Sequence, residues 1–285
     1  MKKHAFIITA YNDFDWIKDS VQYYIKKVDC YIHIDNKIKV PDNFMKWAQS
    51  TNGIYIFTRY KINWGSYKHL KAILHMINYA RKNNEYDFYH ILSANTILTK
   101  PLEEVLSYFE ANLDNNFLQM TPLEGEYKKL IEPWYIYYHF LHLYDKRTNW
   151  GNQFDWYFCK LQKKIGIRRK LDYDYKGLVY SHLNKEFINY VFDYLKEHPR
   201  YFANLKTCNI GEELFFQNII SNSPFKDSVV EDNKIFTKWT EGGVAKYLTL
   251  EDYEDIDNSD CLFARKYNCN SKKLIEKLCS YPNVS

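Results

Sequence analysis

No apolar run approaches the ~18 residues that a membrane-spanning helix requires. The stretch Met1-Lys2-Lys3-His4-Ala5-Phe6-Ile7-Ile8 is too short for a signal peptide. It ends at Tyr11-Asn12-Asp13 without a small-residue cleavage site, so it reads as the first buried strand of a cytoplasmic protein. Glycine is scarce, with 9 in 285 residues, and the glycine patterns that cradle phosphates are missing. Without GxxxxGK[ST] there is no P-loop, and without GxGxxG after the first strand there is no dinucleotide-binding turn. Without GxSxG there is no hydrolase nucleophile elbow. The cysteines (Cys30, Cys159, Cys208, Cys261, Cys269, Cys279) form no CxxC pair, which excludes a disulfide framework and a zinc site. A large charge of one sign is also lacking. With 39 basic and 35 acidic residues the net charge is +4, too balanced for a dedicated nucleic-acid binder, although a local basic phosphate pocket is compatible with it.

Apolar residues make up 46%, charged residues 26%, and mean hydropathy is −0.54, as in a globular chain with an ample core. The 27 tyrosines accompany abundant Lys, Asn and Ile, so compositional bias and core filling account for them before ligand stacking does.

The first half alternates short apolar runs with helical periodicity. Strands are predicted at His4–Ala10, Asp29–Asp35, Gly53–Phe57, Tyr86–Leu92 and Asn116–Met120. Between them lie helical stretches at about Asp13–Lys27, Asn43–Gln49, Ser66–Lys82 and Pro101–Ala111. Leu70, Ile73, Leu74 and Ile77 mark one face of the third, with Ser66 as its N-cap. This order implies βαβ units and a mostly parallel sheet flanked by helices, with ligands at the carboxyl ends of the strands. The second half is a more elaborate mixture. Glu124–Tyr144 is aromatic-rich and Gly151–Ile165 helical. A strand at Leu178–Leu183 precedes a helix capped by Asn184 and stopped by Pro199. Gly211–Ile220 is a short helix, Lys234–Trp239 a strand and Ser271–Ser280 a closing helix. One domain over 1–285 is the simplest division, with residues 1–122 as one half and 123–285 as the other.

Asp13-Phe14-Asp15, Asp172-Tyr173-Asp174 and Asp255-Ile256-Asp257 match the DxD pattern of metal-dependent nucleotide-sugar enzymes. Such triplets arise readily among 35 acids, and none follows the fourth strand, where the chain reads Ser93-Ala94-Asn95-Thr96. No metal ligand is expected.

Several segments together resemble the core-2/I-branching β-1,6-N-acetylglucosaminyltransferase family, which includes the peptide O-xylosyltransferases. They are Ala5-Phe6-Ile7-Ile8-Thr9-Ala10-Tyr11-Asn12, Tyr31-Ile32-His33-Ile34-Asp35-Asn36-Lys37, Asn63-Trp64-Gly65-Ser66-Tyr67, Tyr86-Asp87-Phe88-Tyr89-His90-Ile91-Leu92-Ser93, Glu212-Glu213-Leu214-Phe215-Phe216-Gln217 and Leu262-Phe263-Ala264-Arg265-Lys266-Tyr267. The resemblance implies a GT-A-like α/β fold, a nucleotide-sugar half followed by an acceptor and catalytic half, and inverting transfer from a UDP-sugar without a divalent metal. The chain departs from the family at Thr96, where an aspartate is common. It departs again at Gly177-Leu178-Val179-Tyr180, where Gly-x-x-Trp is common, and at Tyr11, where a histidine stands.

By this resemblance Glu213 is the general base that takes the acceptor's proton, and Glu212 the preceding acid on the acceptor side. Either is also a first-turn acid favoured by the helix dipole. Lys266 first and Arg265 second would meet the charge on the departing diphosphate, although strand alternation can turn Arg265 away. Lys238 is a weaker candidate. Asp35 would face the uridine. Trp64, Gly65 and Ser66 would line the donor, with Gly65 allowing close approach and helix amides facing a phosphate. Trp134, Tyr137 and Tyr180 are acceptor-side candidates, with core packing the plainer role for Trp134 and Tyr137. The expected partners are a UDP-sugar, with N-acetylglucosamine the default sugar, and an oligosaccharide or lipid-linked glycan acceptor. No other cofactor and no nucleic acid is expected. The expected setting is bacterial surface polysaccharide synthesis in the cytoplasm. A lipid-linked acceptor would bring the chain to the inner face of the membrane by peripheral association at most, with no amphipathic anchor evident. The alternative is a degenerate member that binds glycan or nucleotide-sugar without turnover.

Overall fold

A strand buried on both faces needs apolar residues at odd and even positions alike, and the first half supplies them. The computed structural model describes residues 3–170 and 173–278. In it β1 (His4–Ala10), β2 (Asp29–Ile34), β3 (Ile54–Phe57) and β4 (Phe88–Ser93) run parallel, with β1 between β2 and β4 and β3 outside β2. Phe6, Ile8 and Ala10 of β1 and Cys30, Ile32 and Ile34 of β2 enter one core cluster; Ala5, Ile7 and Tyr31 enter another. The period-two alternation thus feeds both faces. Helices α1 (Phe14–Tyr24), α2 (Asp42–Gln49), α3 (Lys68–Asn83) and α4 (Leu102–Glu110) alternate with these strands. The first cluster holds residues of α1, α2 and α4, the second those of α3.

The second half completes the same sheet. After β5 (Thr96–Leu98), strands β6 (Asn116–Phe117), β7 (Thr121–Pro122), β8 (Tyr175–Lys176), β9 (Ser181–Asn184), β10 (Val229–Val230), β11 (Ile235–Thr237) and β12 (Phe263–Arg265) follow. The main sheet has the order β10-β6-β9-β4-β1-β2-β3, in which β9 alone opposes the common direction. A second sheet, β11-β12-β5, leaves the carboxyl end of β4, and β7 pairs with β8. The helices of this half are α5 (Gly125–Ile131), α6 (Pro133–Ile136), α7 (Asn149–Lys164), α8 (Lys185–Glu197), α9 (Pro199–Leu205), α10 (Glu212–Ser221), α11 (Tyr253–Asp257) and α12 (Lys272–Leu278).

Asn184 caps α8 as expected, its side chain accepting the Phe187 N–H at 2.9 Å. Ser66 does not cap α3. Its carbonyl accepts the His69 N–H in a turn that precedes the helix, and its buried hydroxyl has no hydrogen-bond partner. Pro199 ends α8 but also opens α9, where its missing N–H costs nothing at the first helical position. The predicted strand Asn116–Met120 shortens to two residues. The closing helix is described only to Leu278; Asp172 and Cys279 lie outside the described residues.

Candidate functional site

The carboxyl end of β4 turns through Ala94-Asn95 into β5, which pairs antiparallel with β12 so that Thr96 stands opposite Arg265. Asn95 locks this turn: its side chain donates to the Tyr267 carbonyl at 3.2 Å and its carbonyl accepts the Tyr267 N–H at 2.8 Å. The pairing carries Arg265 and Lys266 to the carboxyl edge of the main sheet. Arg265 is buried, its guanidinium lies 4.4 Å from the Tyr180 ring centre, and its Nε makes no hydrogen bond. Lys266 Nζ lies 5.4 Å from the Tyr247 ring centre. Burial, then Arg265 and Arg147, push its pKa below the ordinary lysine value. Strand alternation does not separate the two charges. Arg265 acts electrostatically on Lys266, on Tyr11 and on Glu213. Tyr11, at the end of β1, is pushed up by burial beside Tyr247 and Tyr180.

Opposite this cationic edge stands the start of α10. The loop Asn209-Ile210-Gly211 leading into it is tied to the Trp64-Gly65 turn. The Gly65 carbonyl accepts the Ile210 N–H at 2.8 Å, and a Cβ on Gly65 would lie 2.7 Å from Asn209 Oδ1. Gly65 has φ +73°, while Ile210, β-branched, is held at φ 54°. That region is strained for such a side chain and persists only where surroundings enforce it. Immediately beyond, Glu213 forms an ion pair with Lys176 of β8, and its carbonyl accepts the Gly177 N–H at 2.9 Å. Gly177 must be a glycine, because a Cβ there would lie 1.9 Å from the Gln119 carbonyl oxygen. Lys176 is held protonated by Glu213, whereas burial and the like charge of Glu212 outweigh Lys176 at Glu213 and raise its carboxyl above the ordinary value. Glu212 is buried. One carboxylate oxygen lies 3.4 Å from His69 Nδ1, and the other has no partner. His69 Nε2 reaches Thr9 Oγ1 of β1 at 3.3 Å.

The structure thus brings Glu212, Glu213, Tyr180, Arg265 and Lys266 together at one edge, with Lys176, His69 and Arg147 as members that sequence reading missed. Other expected residues have protein neighbours. Asp35 accepts the Ile62 and Lys37 N–H groups at 3.1 and 3.0 Å and so anchors the loop after β3, with Lys37 Nζ at 3.5 Å. Gly65 faces the Asn209-Ile210 loop, Trp64 is exposed, and Ser66 is buried beneath. Trp134 packs against the second core cluster while its carbonyl accepts the Asn209 N–H at 2.9 Å, one step from α10. Lys238 is occupied by Asp252 and Asp255 at 2.7 and 3.0 Å, which leaves it no role as a phosphate clamp.

Among the described residues one group has metal-ligand spacing: His139, Asp155 and Cys159. Its chemistry is that of a buried carboxylate surrounded by hydrogen-bonding partners. Asp155 takes His139 Nδ1 at 2.9 Å, the Tyr144 hydroxyl at 2.7 Å and Lys146 Nζ at 3.0 Å, while His139 Nε2 meets the Pro133 carbonyl at 3.1 Å. With both ring nitrogens engaged and Asp155 neutralised, the cluster staples the aromatic segment to α7. Asp13 and Asp15 are exposed, and Asp255 is paired with Lys238.

No curated protein matches the chain. Among the solved structures that align in part are two of one protein. S. aureus TarS 1–349 in complex with UDP does so with TM-score 0.32, and S. aureus TarS 1–349 with TM-score 0.30. Each is 13% identical over 44% of this chain, and the match spans only 37% of the TarS chain. The family model for the Core-2/I-Branching enzyme covers residues 4–260, from the first residue of β1 to the loop before β12. Matched over that span, the chain belongs to the Core-2/I-Branching enzyme family.

Proposed function

We propose that the chain is a glycosyltransferase that moves a sugar, N-acetylglucosamine by default, from a UDP-sugar to a hydroxyl of an oligosaccharide or lipid-linked glycan, with inversion and without a divalent metal, in bacterial surface polysaccharide synthesis. The observation that carries the reading is one base-strengthened carboxylate, Glu213, within electrostatic reach of Arg265, which acts in turn on Lys266, two cations for which no carboxylate partner is found among the described residues. Glu213 takes the proton of the acceptor hydroxyl. The freed oxygen attacks the anomeric carbon, and the bond to the diphosphate oxygen breaks with its electron pair leaving on UDP. Such base assistance is typically worth ~10²–10⁴-fold. Lys266 and Arg265 meet the charge that develops on the leaving group, most effectively where burial has already desolvated them.

The test is release of UDP from a panel of UDP-sugars in the presence of candidate acceptors. Glu213→Gln keeps the volume but cannot accept the proton, so turnover falls by about two orders of magnitude or more while UDP binding persists. Wild-type turnover in that variant, with loss in Glu212→Gln, moves the base by one residue. Activity survives EDTA, and a β-linked product from an α-linked donor is read from the anomeric proton coupling. Loss in EDTA restored by Mn²⁺, or an α-linked product, overturns the mechanism. UDP binding without release in any combination returns the degenerate reading.

A further inference from the structure

Helix α7 is built inside out. Its buried positions are Gly151, Asp155 and Gln162. Asp155 is held by His139, Tyr144 and Lys146. Gln162 pairs with the Tyr138 backbone, accepting its N–H at 2.8 Å and donating to its carbonyl at 3.0 Å. The apolar stripe lies one residue, about 100°, round the helix from them, with Trp150 and Phe154 leaning on Tyr144 at its rim. Trp150, Phe154, Tyr157 and Leu161, spaced as one helical face, are 66%, 42%, 65% and 52% exposed. Ile165 and Ile167 extend the stripe past the helix end, both exposed. A soluble helix ordinarily buries such a stripe, and a contiguous exposed one marks an interaction surface.

Charge selects the occupant. Lys160, Lys163 and Lys164 are exposed on α7, and Arg168 and Lys170 follow at once. No acidic residue occurs from Trp156 to Lys170, and Asp155 is buried and neutralised. Lys160 Nζ lies 3.5 Å from the Trp156 ring centre, so cation and aromatic share one rim. A second copy docked on this face would oppose lysine rows without compensating carboxylates. A bilayer with anionic headgroups meets both features: acyl boundary for the stripe, phosphate for the lysines, and an interfacial depth suited to Trp and Tyr. We infer that α7 is a membrane-docking helix that lies in the plane of an anionic lipid surface. Arg147, just ahead of α7, acts electrostatically on Tyr11 and Lys266, so the segment that enters the helix lies within electrostatic reach of the candidate site. The inference stands apart from the proposed chemistry.

The test uses the full chain with vesicles of phosphatidylcholine alone or with a minor fraction of phosphatidylglycerol. Cosedimentation is expected with phosphatidylglycerol, little without it, and release by salt. The triple substitution Phe154→Ser, Tyr157→Ser and Leu161→Ser weakens binding about tenfold or more, since it removes most of the apolar insertion. Lys160→Glu with Lys164→Glu removes the preference for anionic lipid. All five positions are exposed, and Phe154 alone among the three apolar ones also stacks on Trp150 and Phe158 and meets Tyr144; circular dichroism is expected to hold while the thermal midpoint of the triple variant falls, and if that variant misfolds, the lysine pair decides. Failure of the wild type to bind phosphatidylglycerol vesicles overturns the inference, as does unchanged binding in both variants. A wild-type dimer in solution that the triple variant dissociates also overturns it, assigning the face to a second copy. None of these readouts depends on sugar transfer.

Discussion

Glu213 and Lys176 form a pair in which neither partner can be changed alone without leaving a buried charge. Burial raises the Glu213 carboxyl and lowers the Lys266 ammonium, so the groups proposed to carry the reaction titrate toward each other. The proposed chemistry requires Glu213 deprotonated and Lys266 protonated. The pH profile of kcat/KM is therefore a bell whose acid limb lies above the ordinary glutamate value of 4.5 and whose basic limb lies below the ordinary lysine value of 10.5. Lys176→Met removes the charge that opposes this upward shift, and the acid limb moves to higher pH. A limb that stays in place would separate Lys176 from the titrating group. At this scale the sequence named Glu213, Arg265 and Lys266 because contiguous segments carry them. Lys176 and His69 were not legible. Each reaches its glutamate from a distant strand or helix, and neither Tyr175-Lys176-Gly177 nor the first turn of α3 advertises that contact.

At the level of elements, the position of Glu213 depends on how two loops meet. The Gly65 carbonyl holds Ile210 in its left-handed conformation, and Ile210 precedes α10 by two residues. Gly65→Ala puts a Cβ into a left-handed residue and against Asn209, Ile210 and Leu141. The backbone term costs ~1–2 kcal/mol and the overpacking ~1–3 kcal/mol, a loss visible in denaturant midpoints. Turnover falls further than stability predicts, because the loop that moves carries Glu212 and Glu213. Unchanged kcat in a destabilised variant would show that α10 tolerates the shift. Strands β1 to β4 and helices α1 to α4 were readable because each is apolar at its own period. Strands β5 and β12 have three residues each, too few for a period. Their pairing becomes definite only when Asn95 and Tyr267 are seen to bond. Helix α7 was readable as a helix but not as an inverted one, because periodicity reports a stripe and not which side meets the protein.

Across the whole molecule, the sheet that carries the site also carries a row of histidines through its core. His4 of β1, His90 of β4 and His182 of β9 are all buried, with ring nitrogens 2.9 Å apart at both contacts. Burial lowers all three, His182 to about 3, and His33 of β2 falls to about 4 for the same reason. In the unfolded chain each titrates near the ordinary 6.5. Below that pH the unfolded state binds more protons than the folded one. The stability these neutral rings contribute is thus fully present above about pH 6.5 and is lost as pH falls toward the folded values. Each histidine contributes a slope of up to ~1.4 kcal/mol per pH unit. Lowered carboxylates such as Asp155 and Asp145 lose their contribution only below the ordinary aspartate range, so the interval from about pH 6.5 to 5 isolates the histidines. Glu213 and Asp13, with raised carboxyls, oppose the trend as two groups against several. Denaturant midpoints are expected to fall steeply over that interval. His182→Phe, set among Phe109, Phe263 and His90, should flatten the slope even while it lowers stability at pH 7 by stranding the His90 nitrogen. A flat profile in the wild type, or the same slope in the variant, would show that protonation of the row does not set the acid sensitivity of the fold; the carboxylate that pairs with the row among the described residues is Glu110, 3.5 Å from His4.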